Sequence, residues 1–192
     1  VFGQDEAVDK LVESILVSKA GLREPNKPIG SFLFVGPTGV GKTETAKQLA
    51  ETMDVKLIRF DMSEYMERHS VSKLIGAPPG YVGYAEGSIG SGQLINDVED
   101  NPNCVLLLDE VEKSAPEVLQ VLLQVMDDGK LTSSTGKTVM FNKVILCLTS
   151  NLGAQASEKP PMGIGRPDSV NQTDDYVKDF FAPEFRNRLD AT

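Results

Sequence analysis

The chain has 192 residues, enough for one core that buries roughly 70% of the unfolded surface without staples. Its 19 Lys and Arg stand against 28 Asp and Glu, a net charge of −9, which disfavours a static clamp on nucleic acid. Hydrophobic residues make up 40% and charged residues 24%, and no apolar run approaches the roughly 20 residues of a membrane span, so a transmembrane reading is excluded.

Taken in chain order, Gln4 to Ala20 carries Val8, Leu11, Val12 and Ile15 at helical spacing, with Gly21 placed to stop the helix. After Pro25 and Pro28, Ser31-Phe32-Leu33-Phe34-Val35 reads as a strand buried on both faces of a parallel sheet. A glycine-rich stretch then leads into a helix over 42–53, with Ala46, Leu49, Ala50 and Met53 on one face. Further strands are expected at 55–60, 103–109 and 144–149, and a helix at 116–126. That helix is read with Ser114 as N-cap, Pro116 in the first turn, Glu117 closing a capping box, and a stop at Asp128-Gly129. Residues 131–141 read as a hairpin around Ser-Ser-Thr-Gly, and 153–173, rich in Pro, Gly, Ser and Asn, as a mobile surface loop. Strands alternating with helices predict an α/β fold, a doubly wound sheet with helices on both faces. Cys104 and Cys147 lie within apolar strands of a chain with no evident secretion signal, which predicts reduced core thiols and a cytoplasmic location. A start at Val1 and an end at Thr192 without a capping element suggest a segment of a longer polypeptide.

Gly36-Pro37-Thr38-Gly39-Val40-Gly41-Lys42-Thr43 fits G-x-x-x-x-G-K-[ST], between a predicted strand and a predicted helix. The chemistry needs these types. Glycines let backbone N–H groups converge on phosphate oxygens, the helix terminus favours anions, Lys42 supplies charge to the β and γ phosphates, and Thr43 supplies a hydroxyl for Mg²⁺. Downstream, the strand Cys104 to Leu108 ends in Asp109-Glu110. Asp109 suits a hold on Mg²⁺ through its water shell, and Glu110 suits polarisation of an attacking water. Asn151, at the end of the next apolar strand, is suited to orient that water. Arg186 and Arg188 near the end of the chain are candidates for an arginine acting on a neighbouring subunit, with Arg188 the stronger. The expected ligands are therefore ATP and Mg²⁺.

With these elements placed, the chain resembles the large subdomain of a Clp/Hsp100 AAA+ ATPase, specifically the second ATPase module of the ClpA and ClpC type. The resemblance rests on Val1-Phe2-Gly3-Gln4, the phosphate loop, Phe60-Asp61-Met62-Ser63-Glu64-Tyr65, and Gly76-Ala77-Pro78-Pro79-Gly80-Tyr81-Val82-Gly83-Tyr84. It also rests on Leu108-Asp109-Glu110 and Phe185-Arg186-Asn187-Arg188-Leu189-Asp190. It implies that residues 1–192 form one P-loop αβα subdomain, with the small helical subdomain absent. Val1 and Phe2 would lie against adenine, Asn151 would be sensor 1, and Arg188 would be an arginine finger in a homo-hexamer. Tyr81 and Val82 would grip an unfolded polypeptide in the central pore, and His69 would belong to a second pore-facing loop. Met162-Gly163-Ile164 stands where relatives that dock on a ClpP-type peptidase carry an apolar-Gly-apolar tripeptide, although neither apolar residue is the usual one. Ser88-Ile89-Gly90-Ser91 has the look of an insertion relative to that family. The implied function is an ATP-hydrolysing unfoldase that threads proteins into a peptidase. The alternatives are a ClpB-like disaggregase without a protease, an AAA+ protein acting on nucleic acid, and a non-hydrolysing scaffold.

Overall fold

In the computed structural model, the described residues are 5–22, 24–76, 92–133, 135–152 and 169–192. Six strands and seven helices are defined among them. In chain order they are α1 (Asp5–Lys19), β1 (Gly30–Val35), α2 (Lys42–Met53), β2 (Lys56–Asp61), α3 (Arg68–Ile75), α4 (Gln93–Asp100) and β3 (Cys104–Asp109). There follow α5 (Pro116–Asp128), β4 (Lys130–Thr132), β5 (Thr138–Met140), β6 (Val144–Ser150), α6 (Ser169–Phe180) and α7 (Pro183–Arg186). Short 3₁₀ turns span Met62–Tyr65 and Val111–Lys113.

The main sheet is parallel throughout, in the order β1-β6-β3-β2. Its two inner strands, β3 and β6, are buried along their whole length, which is why both read as unbroken apolar runs. Alternation along each strand then sorts residues between two layers. Phe32, Val105, Leu107, Ile145 and Cys147 pack with Leu11 and Ile15 of α1 and with Ala46, Leu49 and Ala50 of α2. Leu33, Ile58, Phe60, Leu106, Leu108, Leu146 and Leu148 face the other way, onto α3, α4, α5, α6, α7 and the hairpin. The fold class expected from the sequence is the one observed. No helix among the described residues is long and apolar enough to cross a membrane.

At the outer edge of β1 the last residues of the chain come alongside. Phe32 and Ala191 form a parallel bridge, and the Ser31 amide donates to Asp190 Oδ2 at 2.6 Å. Both cysteines are buried and unlinked, with thiols pushed up by burial to about 11 for Cys104 and about 12 for Cys147.

Four sequence expectations are corrected locally. Ser114 is not the N-cap of α5. Ala115 takes that place, Pro116 opens the helix, and the Ser114 hydroxyl instead donates to the Val111 carbonyl at 2.8 Å, closing the preceding turn. Glu117 pairs with Arg68 of α3 rather than completing a capping box. Val12 falls off the buried stripe of α1 and is 45% exposed. The segment expected as loop through residue 173 is helical from Ser169 onward. The helix stop at Gly129 does hold. It sits at φ 63, and a Cβ there would lie 1.6 Å from the Asn26 carbonyl oxygen, so only glycine fits.

Candidate functional site

The carboxyl ends of β1, β3 and β6 lie side by side, and the loop leaving β1 turns into α2 directly above them. Gly41 is the N-cap of α2 at φ 96, a conformation that costs a side-chain-bearing residue about 1–2 kcal/mol and that lets the loop fold over the helix terminus. A cleft of about 450 Å³ opens there, bordered by Thr38, Gly39, Gly41, Lys42, Thr43, Asp109, Glu110 and Asn151. Lys42 and Asn151 are 109 positions apart in sequence, with Asp109 and Glu110 between them, and the parallel register is what collects them.

Lys42 Nζ donates to the carbonyls of Gly36 (2.5 Å) and Pro37 (2.9 Å) and to Asn151 Oδ1 (2.8 Å). Burial lowers its pKa from the ordinary lysine value, opposed by the nearby carboxylates of Glu112, Asp109 and Glu110. The Thr43 hydroxyl lies 3.3 Å from both oxygens of Asp109. Asp109, the last residue of β3, is 7% exposed. It accepts from the Thr149 hydroxyl and pairs with the Arg59 guanidinium at 2.6 Å.

Glu110 leaves the strand at φ 57, one of two positive-φ non-glycine residues among those described. That kink turns its carboxylate into the cleft. Its backbone N–H donates to Thr149 Oγ1 at 3.0 Å, its Oε1 accepts from Asn151 Nδ2 at 2.7 Å, and its Oε2 pairs with Lys113 at 2.6 Å. Thr149 thus donates to one carboxylate residue and accepts from the backbone of the next. Glu112 adds a further tie, accepting from the Asn151 backbone N–H at 3.0 Å. The oxygen set of Asp109 and Thr43 suits a hard cation. Among the described residues, no group of three or more His, Cys, Asp or Glu side chains could hold a metal ion by itself.

The structure therefore brings Gly36, Pro37, Thr38, Gly39, Gly41, Lys42, Thr43, Asp109, Glu110 and Asn151 together. Val40 belongs to the same loop and is 37% exposed. Arg188 is not among them. It follows α7, and its Nε pairs at 2.5 Å with Asp127 near the end of α5, which holds that carboxyl below its usual range. Arg186 is likewise occupied, donating to the Phe181 carbonyl at 3.1 Å. His69 lies in the first turn of α3 and is exposed. Val1, Phe2, Tyr81, Val82, Met162, Gly163, Ile164 and the stretch 88–91 lie outside the described residues. Arg59, Thr149 and Glu112 are site residues that sequence reasoning missed. The signal for Arg59 was present in part: it shares face parity with Asp61 on β2, but only the register of β2 against β3 shows that it reaches Asp109.

A family model described as AAA domain (Cdc48 subfamily) matches residues 27–192. Over the whole chain, the sequence is 59% identical to a ClpA homolog protein of Fuscovulum blasticum, of which it covers 24%. It is 53% identical to the ATP-dependent Clp protease ATP-binding subunit ClpE of Lactococcus lactis, covering 26% of it, and 52% identical to the chaperone protein ClpB of Enterococcus faecalis, covering 22%. Among solved structures, a closed-state cryo-EM reconstruction of Hsp104 with ATPγS and FITC casein matches with a TM-score of 0.84 at 42% identity, covering all of this chain and 33% of that one. The chain spans about a quarter of the length of the curated relatives it matches. On the family match and on these relatives, the chain belongs to the AAA domain (Cdc48 subfamily) family, as a Clp/Hsp100 AAA+ module.

Proposed function

We propose that the cleft binds ATP with Mg²⁺ and hydrolyses it, and that the module drives protein unfolding as part of a homo-hexameric Clp-type ATPase. The observation that carries this reading is the convergence of Lys42, Thr43, Asp109, Glu110 and Asn151 in one cleft at the end of the sheet. In this reading Lys42 exchanges carbonyl acceptors for phosphate oxygens, and the α2 terminus favours the same anion. Mg²⁺, held by Asp109 and the Thr43 hydroxyl, would supply positive charge against the phosphates. Glu110, oriented by Asn151 and Lys113, takes the proton of the attacking water. Arg188 acts on the nucleotide of an adjacent subunit, and its pairing with Asp127 is exchanged for phosphate at that boundary. Val1 and Phe2 contact adenine, while Tyr81 and Val82 contact the polypeptide in the pore, with His69 near it.

Identity to the ClpA homolog and to ClpE supports a partnership with a ClpP-type peptidase, docked through Met162-Gly163-Ile164. The matches to ClpB and Hsp104 favour a second reading, a disaggregase without a protease. The two separate by co-sedimentation of the full-length protein with a ClpP-type peptidase in ATPγS. Binding that is lost on changing Gly163 and Ile164 supports the protease reading, and no binding supports the chaperone.

A further inference from the structure

Asp109 and Arg59 form an unequal pair. The Asp109 side chain is 10% exposed and the Arg59 side chain 49% exposed, with the guanidinium 2.6 Å from Oδ2. A carboxylate so buried needs a counter-charge at all times, whereas a half-exposed arginine leaves its partner at little desolvation cost. The geometry follows from register. Asp61 lies beside Asp109 and Arg59 beside Leu107, so Arg59 sits one step back on the same face of the sheet and reaches forward over the strand end.

Arg59 also borders two clefts. One is the phosphate-loop cleft; the other, about 330 Å³, is bordered by Glu64, with Asp61, like Arg59, bordering both. Asp61 is already tied to Ser63 through its Oδ1, at 2.9 Å from the amide and 2.6 Å from the hydroxyl. The Asp61 and Glu64 carboxylates, which border the second cleft together with Arg59, give the guanidinium a second anionic place.

We propose that Arg59 is the resident counter-ion of Asp109, competing for that carboxylate with the cation that accompanies the nucleotide, and that it swings toward Asp61 and Glu64 when displaced. The proposal rests on reading the cleft as a nucleotide site. Two cations that compete for one carboxylate are negatively coupled, so Arg59 raises the Mg²⁺ concentration needed to complete the site. A half-exposed ion pair of about 1 kcal/mol corresponds to about a fivefold change in that concentration.

The test uses the full-length protein with saturating ADP and a Mg²⁺ titration, read by hydrogen exchange of the peptide covering residues 36–44, which reports this cleft alone. In Arg59→Met the Mg²⁺ midpoint falls about fivefold relative to wild type. A midpoint equal to or above wild type overturns the proposal, because a purely structural arginine changes exchange with and without Mg²⁺ alike and leaves the midpoint in place. Should Arg59→Met fail to fold, Arg59→Lys keeps the charge and gives up the planar fork. It lowers the midpoint about twofold, and no decrease overturns the proposal. A peptide that ignores ADP altogether in wild type removes the nucleotide reading itself, an outcome distinct from an unmoved midpoint.

Discussion

Asn151 Nδ2 donates to Glu110 Oε1 at 2.7 Å, so the amide at the end of β6 fixes the carboxylate just beyond the end of β3. The other end of the same amide accepts from Lys42, which makes Asn151 the link between the phosphate loop and the candidate base. Removing the link leaves Lys42 held only by the Gly36 and Pro37 carbonyls and the Glu110 carboxylate held only by Lys113. Asn151→Ala is expected to lower ATP turnover by about 10- to 100-fold while nucleotide affinity changes by less than about threefold. Turnover and equilibrium binding of a fluorescent ATP analogue, measured on the same preparation, check the split.

Thr149 is 1% exposed and serves two partners at once, donating to Asp109 and accepting from the Glu110 backbone. Thr149→Val keeps the shape and removes both contacts, leaving a buried carboxylate and a partly buried N–H short of a partner. The expected loss is about 1–3 kcal/mol of stability, read as a lower urea midpoint with an unchanged slope.

Much of this site was legible in the sequence because the phosphate loop is local: Gly36 to Thr43 is contiguous, and its strand and helix announce themselves by periodicity. Asp109, Glu110 and Asn151 were legible for a related reason, since an apolar run that ends in polar residues marks the carboxyl end of a buried strand. Arg59 and Thr149 were not, because their roles depend on which strands are neighbours, and strand order is not written in any one segment. The Ser114 cap failed by a single residue, a shift that a pattern match cannot resolve and a competing carbonyl, that of Val111, decides. Helices α3, α4 and α7 were missed because each is short and its buried residues are shared with distant parts of the chain, and α6 was missed because the polar composition before it was read as loop through residue 173.

Arg188 is paired with Asp127 and does not border its own cleft. If it serves a neighbouring subunit, Arg188→Ala binds nucleotide normally and loses roughly 10³-fold in hydrolysis. Co-assembly with Glu110→Gln subunits then restores part of the activity, because some boundaries join an intact Arg188 to an intact Glu110. Mixed assemblies that stay inactive contradict action across the boundary.

The buried thiols give a pH dependence. Their folded pKa values, about 11 and about 12, lie above the ordinary value near 9, so the unfolded chain loses these protons first. Their contribution to stability is constant below pH 9 and is lost as the pH rises toward 11 and 12. Replacing both residues, Cys104→Ala and Cys147→Ala, lowers stability at neutral pH through cavities but flattens the decline between pH 9 and 11, as denaturant midpoints across that range would show.

The proposed function turns on Glu110 acting as the base for ATP hydrolysis in this cleft. Single-turnover hydrolysis by full-length Glu110→Gln, in a background with any other ATPase module silenced and with ATP binding measured in parallel, is the deciding experiment. ATP is expected to be held with an affinity within about threefold of wild type and cleaved at least about 100-fold more slowly. Undiminished cleavage at this cleft would contradict it.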